Sequence, residues 1–458
     1  MLSANCWKNT FFILITGITS SLAGKTLISN ATILTLTDNQ DASFVGDILI
    51  GSDGLIKEIT TGSISRSSFN DNTLVVDATG KIVMPGFVSG HSHLWQSAFR
   101  GIAPDGELWP WLEKLHFVYG QHFDDGDFFA FTLHGAIDQL IHGITTTYNH
   151  SHWLGDDYEQ YLEQYEAGLK SRQNFVFAFA LDLSQDTDVS KKRLLKLMDE
   201  ASEHSSVLGF SINARGYQRT PKKFPEELAI AKELGLTTQI HYLEQSSRQE
   251  NERSQFSFFV ESGVLYEGMS FAHFIHTDEE IQDAAAKANT SMIWNPLSNG
   301  RLGSGLADVT AYIEKGIGVG MGVDGQASAD ISDPFENMRM GLYATRMREE
   351  NSKGLQPIDL LRLHTLRTAE VLKVSDKVGS LEPGKLADLL IIDPQSPITG
   401  PIFDPYATLV FACNASNIES VYVQGELQVS DGTPINHDLS LLIQDVDTRN
   451  RRLRLAAQ

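Results

Sequence analysis

The chain has 458 residues, 41% hydrophobic and 21% charged, which suits a globular protein long enough for an α/β barrel with additions. Thirty-six basic residues face 58 acidic ones, giving a net charge of −22. That balance excludes nucleic acid and anionic membrane as partners, because phosphate binding needs a basic surface.

The N-terminus has the layout of a secretory signal. Met1 to Asn9 carries Lys8 and no acid, and Phe11 to Thr19 is apolar but too short to span a bilayer. Ser21-Leu22-Ala23 then places small residues before a cut at Gly24. A secreted protein is the expectation, and a buried first strand in a cytoplasmic one is the alternative. Of two cysteines, Cys6 falls in this segment, so Cys413 alone offers no disulfide framework.

Residues 24–79 predict short strands. Thr26 to Leu34 is rich in β-branched residues, and Asp47 to Ile50 and Leu55 to Ile59 flank the hairpin turn Gly51-Ser52-Asp53-Gly54. Residues 379–436 repeat this character in Ala387 to Ile392, Ile418 to Val423 and Leu427 to Val429. Together the two ends predict one small β-sandwich domain, with 437–458 as a C-terminal tail or helix.

Between them, over residues 80–378, strand and helix patterns alternate. The apolar runs are Ile82 to His93, Thr145 to Asn149, Phe175 to Leu181, Leu208 to Asn213, Thr238 to His241, Ser270 to His273, Met292 to Asn295 and Gly318 to Asp324. Helical stretches such as Phe128 to His142, Tyr158 to Lys170 and Pro225 to Leu234 fall in the gaps. Eight such units predict an α/β fold of the (β/α)8 TIM-barrel type, whose chemistry sits at the C-terminal ends of its strands.

Those ends carry ligand-type residues. His91 and His93 stand two apart, so a strand points both imidazoles to one face. His241 ends the fifth run, His273 and His276 close the sixth, and Asp324 ends the eighth. Three neutral imidazoles and a carboxylate suit Zn²⁺ or Fe²⁺, which would lower the pKa of water towards neutrality. Glu244, just beyond His241, is placed to shuttle protons, His273 to orient the attacking water, and Asp324 to accept a proton from it. Singly, these would be a packed histidine, a solvated glutamate and a turn aspartate. Their coincidence on strands one, five, six and eight favours the chemical reading.

Several stretches carry a family resemblance: Pro85-Gly86-Phe87-Val88-Ser89-Gly90-His91-Ser92-His93, His241-Tyr242-Leu243-Glu244, Ala272-His273, Asn295-Pro296-Leu297-Ser298-Asn299, Gly322-Val323-Asp324-Gly325, and Gly379 to Asp388. From Lys25 to Glu426 the chain resembles the amidohydrolase superfamily, in the branch of methylthioadenosine/S-adenosylhomocysteine deaminases, cytosine and guanine deaminases and triazine hydrolases. The resemblance implies a single divalent metal, Zn²⁺ or Fe²⁺, on His91, His93, His241 and Asp324. It implies Glu244 and His273 as the catalytic pair, a barrel with a β-sandwich from both termini, and, by analogy, a homo-oligomer. No lysine ends the fourth strand, so the site is expected to be mononuclear.

Two departures bear on the substrate. Asn213 stands where adenosine deaminases of this branch have a substrate-contacting histidine, and Val118 to His122 lacks the carboxylate that holds their ribose. Trp95, Gln96, Trp109, Trp111, His150, His152, Trp153, Asn213, Arg215, Asn299 and Gln326 follow strand ends, as the wall of a pocket for a planar heterocycle would. The expected function is hydrolytic deamination of a cyclic amidine or N-heterocycle. Cyclic amide hydrolysis and hydrolytic dechlorination use the same parts. The rival from another class is a secreted binding protein that keeps the fold without activity.

Overall fold

A computed structural model describes residues 24–69, 72–152, 154 and 159–458. The leader-like segment and Trp153 lie outside the described residues. The first strands are β1 (Thr26–Ile33), β2 (Phe44–Ile50), β3 (Ile56–Thr61), β4 (Leu74–Asp77) and β5 (Ile82–Pro85). Next come β6 (Phe87–His93), β7 (Ile144–His150), β8 (Asn174–Phe179), β9 (Val207–Asn213), β10 (Thr237–Tyr242), β11 (Met269–His273), β12 (Ser291–Trp294), β13 (Gly318–Met321) and β14 (Asp324–Gly325). The last are β15 (Leu389–Ile392), β16 (Ile418–Val423), β17 (Glu426–Ser430) and β18 (Thr433–Pro434).

Strands β6 to β13 pair in parallel, each with the next, with helices in the connections. β13 pairs with β12, and β14, two residues further on, pairs with β6. One interrupted strand thus joins the last neighbour to the first and closes a TIM-like ring. After the interruption Asp324 opens β14, opposite Ser92, with φ +57°. Parallel strands buried on both faces read as continuous apolar runs, which is why the eight segments stand out in the sequence.

Strands from the two ends of the chain form a second sheet, in the order β18-β17-β16-β15-β5-β1-β2-β3, with β4 on β1. The antiparallel pair β5–β15 joins N-terminal to C-terminal strands, over a core including Ile28, Ile33, Ile48, Val83, Leu389 and Ile391.

The run Ile82 to His93, expected as one strand, is therefore two. β5 belongs to the terminal sheet and β6 to the barrel. Pro85 ends the first ladder, and Gly86 passes so close to Thr145 that a Cβ would sit 2.1 Å from its hydroxyl. The C-terminal residues form the helix Leu439–Ala456, which packs beside the helix Asp127–Ile141.

Candidate metal centre

β6, β10, β11 and β14 deliver their ligand-type side chains to one buried point. Asp324 Oδ1 lies 3.5 Å from His91 Nε2 and 3.6 Å from His93 Nε2. His93 Nε2 is 3.3 Å from His241 Nε2. His91, His93 and Asp324 form one cluster able to hold an ion, and His91, His241 and His273 another, with His91 common to both. Of the six residues expected at the centre, all are brought together, Glu244 included, with Oε2 3.7 Å from His273 Nε2.

The residues around this point set the tautomers. His91 Nδ1–H donates to Gln239 Oε1 at 2.5 Å, and Gln239 Nε2 donates to the Gly90 carbonyl, which fixes the amide's orientation. His91 Nε2 is then a buried lone pair with no hydrogen-bond partner. His93 Nδ1–H donates to the His150 carbonyl, so its Nε2 also presents a lone pair. Imidazole nitrogens converging with a carboxylate, His91 Nε2 among them buried with no partner, are the donor set of a divalent ion, so the residues present fit a metal.

His273 is held the other way round. Asn299 Nδ2 donates to its Nδ1 at 2.8 Å, which leaves the proton on Nε2, facing Glu244 and Asp324. In this tautomer His273 is a donor to whatever lies between the two carboxylates. Ser298 Oγ–H donates to Asp324 Oδ2 at 2.6 Å.

Backbone strain gathers here. Leu243, His273, Phe274 and Asp324 all have positive φ, between +46° and +72°, at the ends of their strands. Non-glycine residues hold that conformation only where the surroundings over-determine it. At Leu243 the restraint is Glu252, whose Oε2 accepts the Leu243 N–H at 2.7 Å. This kink turns the chain off β10 and aims Glu244 inward.

Burial sets the charges. It lowers the pKa of His91 and His241 and brings His273 down to about 4, so the imidazoles are neutral. Burial, with Asp324 and Glu252 nearby, pushes Glu244 well above the usual carboxylate range. Burial also opposes the charge of Asp324, but His273, His91, His93 and the Ser298 hydroxyl hold its pKa down. Two carboxyls with opposed tendencies thus share one centre, one suited to carry a proton and one to stay ionised.

The other expected residues are placed as follows. Trp95 is buried among Phe99, Phe123 and Phe128, and its Nε1–H donates to His152 Nδ1. His150 stands edge-on to His91, His93 and His241. Gln96 is buried, with Oε1 unpartnered beside Gly325. Asn213 Nδ2 donates to the Ser151 carbonyl, Gln326 Nε2 to the Gly135 carbonyl, and Trp111 Nε1 to the Ala327 carbonyl. Arg215 has its backbone N–H on the buried Glu227. His276 turns away to the Ser304 carbonyl. Trp109 is half exposed at the rim. Gln239, Ser298 and Glu252 were not singled out from the sequence, although Gln239 lies two residues before His241 on the same strand face.

The amidohydrolase family model matches residues 82–427. The chain belongs to the amidohydrolase family. A curated relative, the 5-methylthioadenosine/S-adenosylhomocysteine deaminase of Desulforamulus reducens, is 26% identical over 444 residues, covering 94% of this chain and 99% of its own. Among solved structures, an adenosine deaminase from Xanthomonas campestris with bound zinc has a TM-score of 0.83 at 20% identity, covering 94% of this chain and 98% of its own. A mutant atrazine chlorohydrolase from Arthrobacter aurescens, complexed with zinc and atraton, has a TM-score of 0.83 at 22% identity, covering 93% and 100%. At those identities the structural likeness establishes the fold. This amidohydrolase is a metal-dependent hydrolase acting on carbon–nitrogen bonds.

Proposed function

We propose that the amidohydrolase deaminates a planar N-heterocycle, with Zn²⁺ held by His91, His93, His241 and Asp324. The observation that carries this reading is Glu244, a buried carboxyl with a raised pKa, 3.7 Å from His273 in one of the two three-donor groups that share His91. A bound zinc would supply Lewis acidity and an activated water. Asp324, ionised, takes a proton from the water as it adds to the sp² carbon. His273 Nε2–H donates to the developing oxyanion. Glu244, protonated, gives its proton to the ring nitrogen. Asp324 passes the proton it took to the exocyclic amine, which leaves as ammonia while the new hydroxyl closes to C=O and returns its proton to Glu244, so substrate plus water become lactam plus ammonia.

Two features argue against carrying over the substrate in the curated relative's name unchanged. Asn213, at the position of the substrate-contacting histidine, is engaged with Ser151. No carboxylate stands between Val118 and His122. We also propose that residues 24–85 and 379–436 form a small β-sandwich unit and that the leader-like N-terminus directs secretion.

The test is ammonia release by zinc-loaded protein across aminated purines, pyrimidines, pterins and triazines. Glu244→Gln should retain zinc and lose about 10²–10⁴-fold in kcat. Turnover without ammonia would overturn deamination in favour of amide hydrolysis or dechlorination.

A further inference from the structure

Where the chain leaves Glu244 lies a groove of about 430 Å³, lined from Gln245 onward, that the proposed chemistry does not use. Glu107, Trp109 and Pro110 line it from the segment after β6, and Gln245, Ser247 and Arg248 from the segment after β10. Gln245, which lines the groove, follows Glu244 directly in the chain, and both are buried.

Its two prominent side chains are arranged for binding. Trp109 is 50% exposed, and the Arg248 guanidinium lies over its ring, 5.5 Å from the centroid. Among the described residues Arg248 forms no ion pair within 4.0 Å, and Glu252, four residues on, is the acid that feels its charge. A guanidinium resting on an indole face is held in one plane while its N–H edge stays open. That edge matches a carboxylate, which can accept two parallel hydrogen bonds from it. Trp109 and Pro110 supply an apolar wall for the linker. Glu107 adds a negative charge to the lining, which disfavours a dianion such as a phosphate monoester. With a net charge of −22, the protein's overall field repels acids, so an acidic substrate needs a local cation of this kind.

We propose that this groove is a specificity subsite in which Arg248, braced by Trp109, holds a carboxylate-bearing substituent of the heterocycle. The proposal rests on the reading that the adjacent centre accepts N-heterocycles.

The test uses zinc-loaded protein and three ligands that share one ring and carry no ribose: adenine, (adenin-9-yl)acetic acid and (adenin-9-yl)methylphosphonic acid. Binding is measured by calorimetry and ammonia is measured separately. The expected result is tightest binding of the carboxylic acid, with a preference over adenine that shrinks at high salt. In Arg248→Met that preference should fall about tenfold, and Arg248→Lys should restore part of it. Trp109→Ala should weaken the acid more than adenine. Equal binding of acid and adenine, a preference untouched by Arg248→Met, tighter binding of the phosphonate, or no binding of any ligand would each overturn the subsite. A persistent preference for the acid with no ammonia from any ring would overturn deamination and leave the subsite standing.

Discussion

At the scale of single residues, the centre depends on which nitrogen of each histidine carries the proton. Gln239 is the clearest case. It takes the Nδ1 proton of His91 and thereby presents the Nε2 lone pair to the cluster. In Gln239→Leu the imidazole loses that orientation, and we expect metal affinity to fall about 10- to 100-fold with the fold intact. Chelator competition with zinc measures this, and unchanged affinity would exclude the role. His91, His93, His241 and Asp324 were legible in the sequence because histidines and acids at strand ends are uncommon in packed interiors. Gln239, Ser298 and Glu252 were not, because glutamine, serine and glutamate occur everywhere. Their meaning lies in contacts such as Gln239 to His91, 148 residues apart.

At the scale of elements, period and burial decide most of what was predicted, and sheet exchange decides what was not. The helices expected at Phe128 to His142 and Pro225 to Leu234 form at Asp127–Ile141 and Phe224–Glu233, and the hairpin around Gly51 to Gly54 joins β2 to β3. The break at Gly86 escaped prediction because both halves of the run are equally apolar. β6 is also tied to the segment after β14 through His364. Its Nδ1–H donates to the Val88 carbonyl, and its Nε2 accepts from Asn337 Nδ2. A second proton would face the Asn337 amide, and burial already brings this imidazole from 6.5 down to about 4. The folded state therefore binds fewer protons than the unfolded one in this window. The contribution to stability is fully present above about pH 6.5 and is lost as pH falls through about 4, by roughly 3 kcal/mol. His364→Gln, which can keep both hydrogen bonds, should show a shallower acid loss in chemical denaturation. Parallel pH curves would refute this.

At the scale of the whole molecule, the end of the chain braces the segment over the site. From the helix Leu439–Ala456, Arg449 and Arg452 both reach the carboxylate of Asp127, which is wholly buried, and Asn450 donates to the Ala98 carbonyl. Val446 and Leu453 are buried in one cluster with Trp95, Trp111 and Phe128. Removing residues 437–458 would strip Asp127, a buried charge, of both arginines, leaving it only the Asp124 N–H, and would uncover that cluster. We expect a lower Tm and faster proteolysis between residues 94 and 126, with metal content unchanged. Cleavage at the wild-type rate would show that the helix is not a brace.

The alternation of strands and helices in the barrel, the candidate donor set and the glutamate proposed to carry a proton were legible in the sequence. Each depends on a local property: the two-residue period of a strand, the position of its last side chain, or the chemistry of imidazole and carboxylate. Only the tertiary structure decided that β13 and β14 close the ring, that Pro85–Gly86 hands one apolar run to two sheets, and that Asn299 orients His273. It alone brought Arg248 over Trp109. These outcomes depend on distances between segments remote in the chain. The local pattern of residues is the same whichever partner each segment meets.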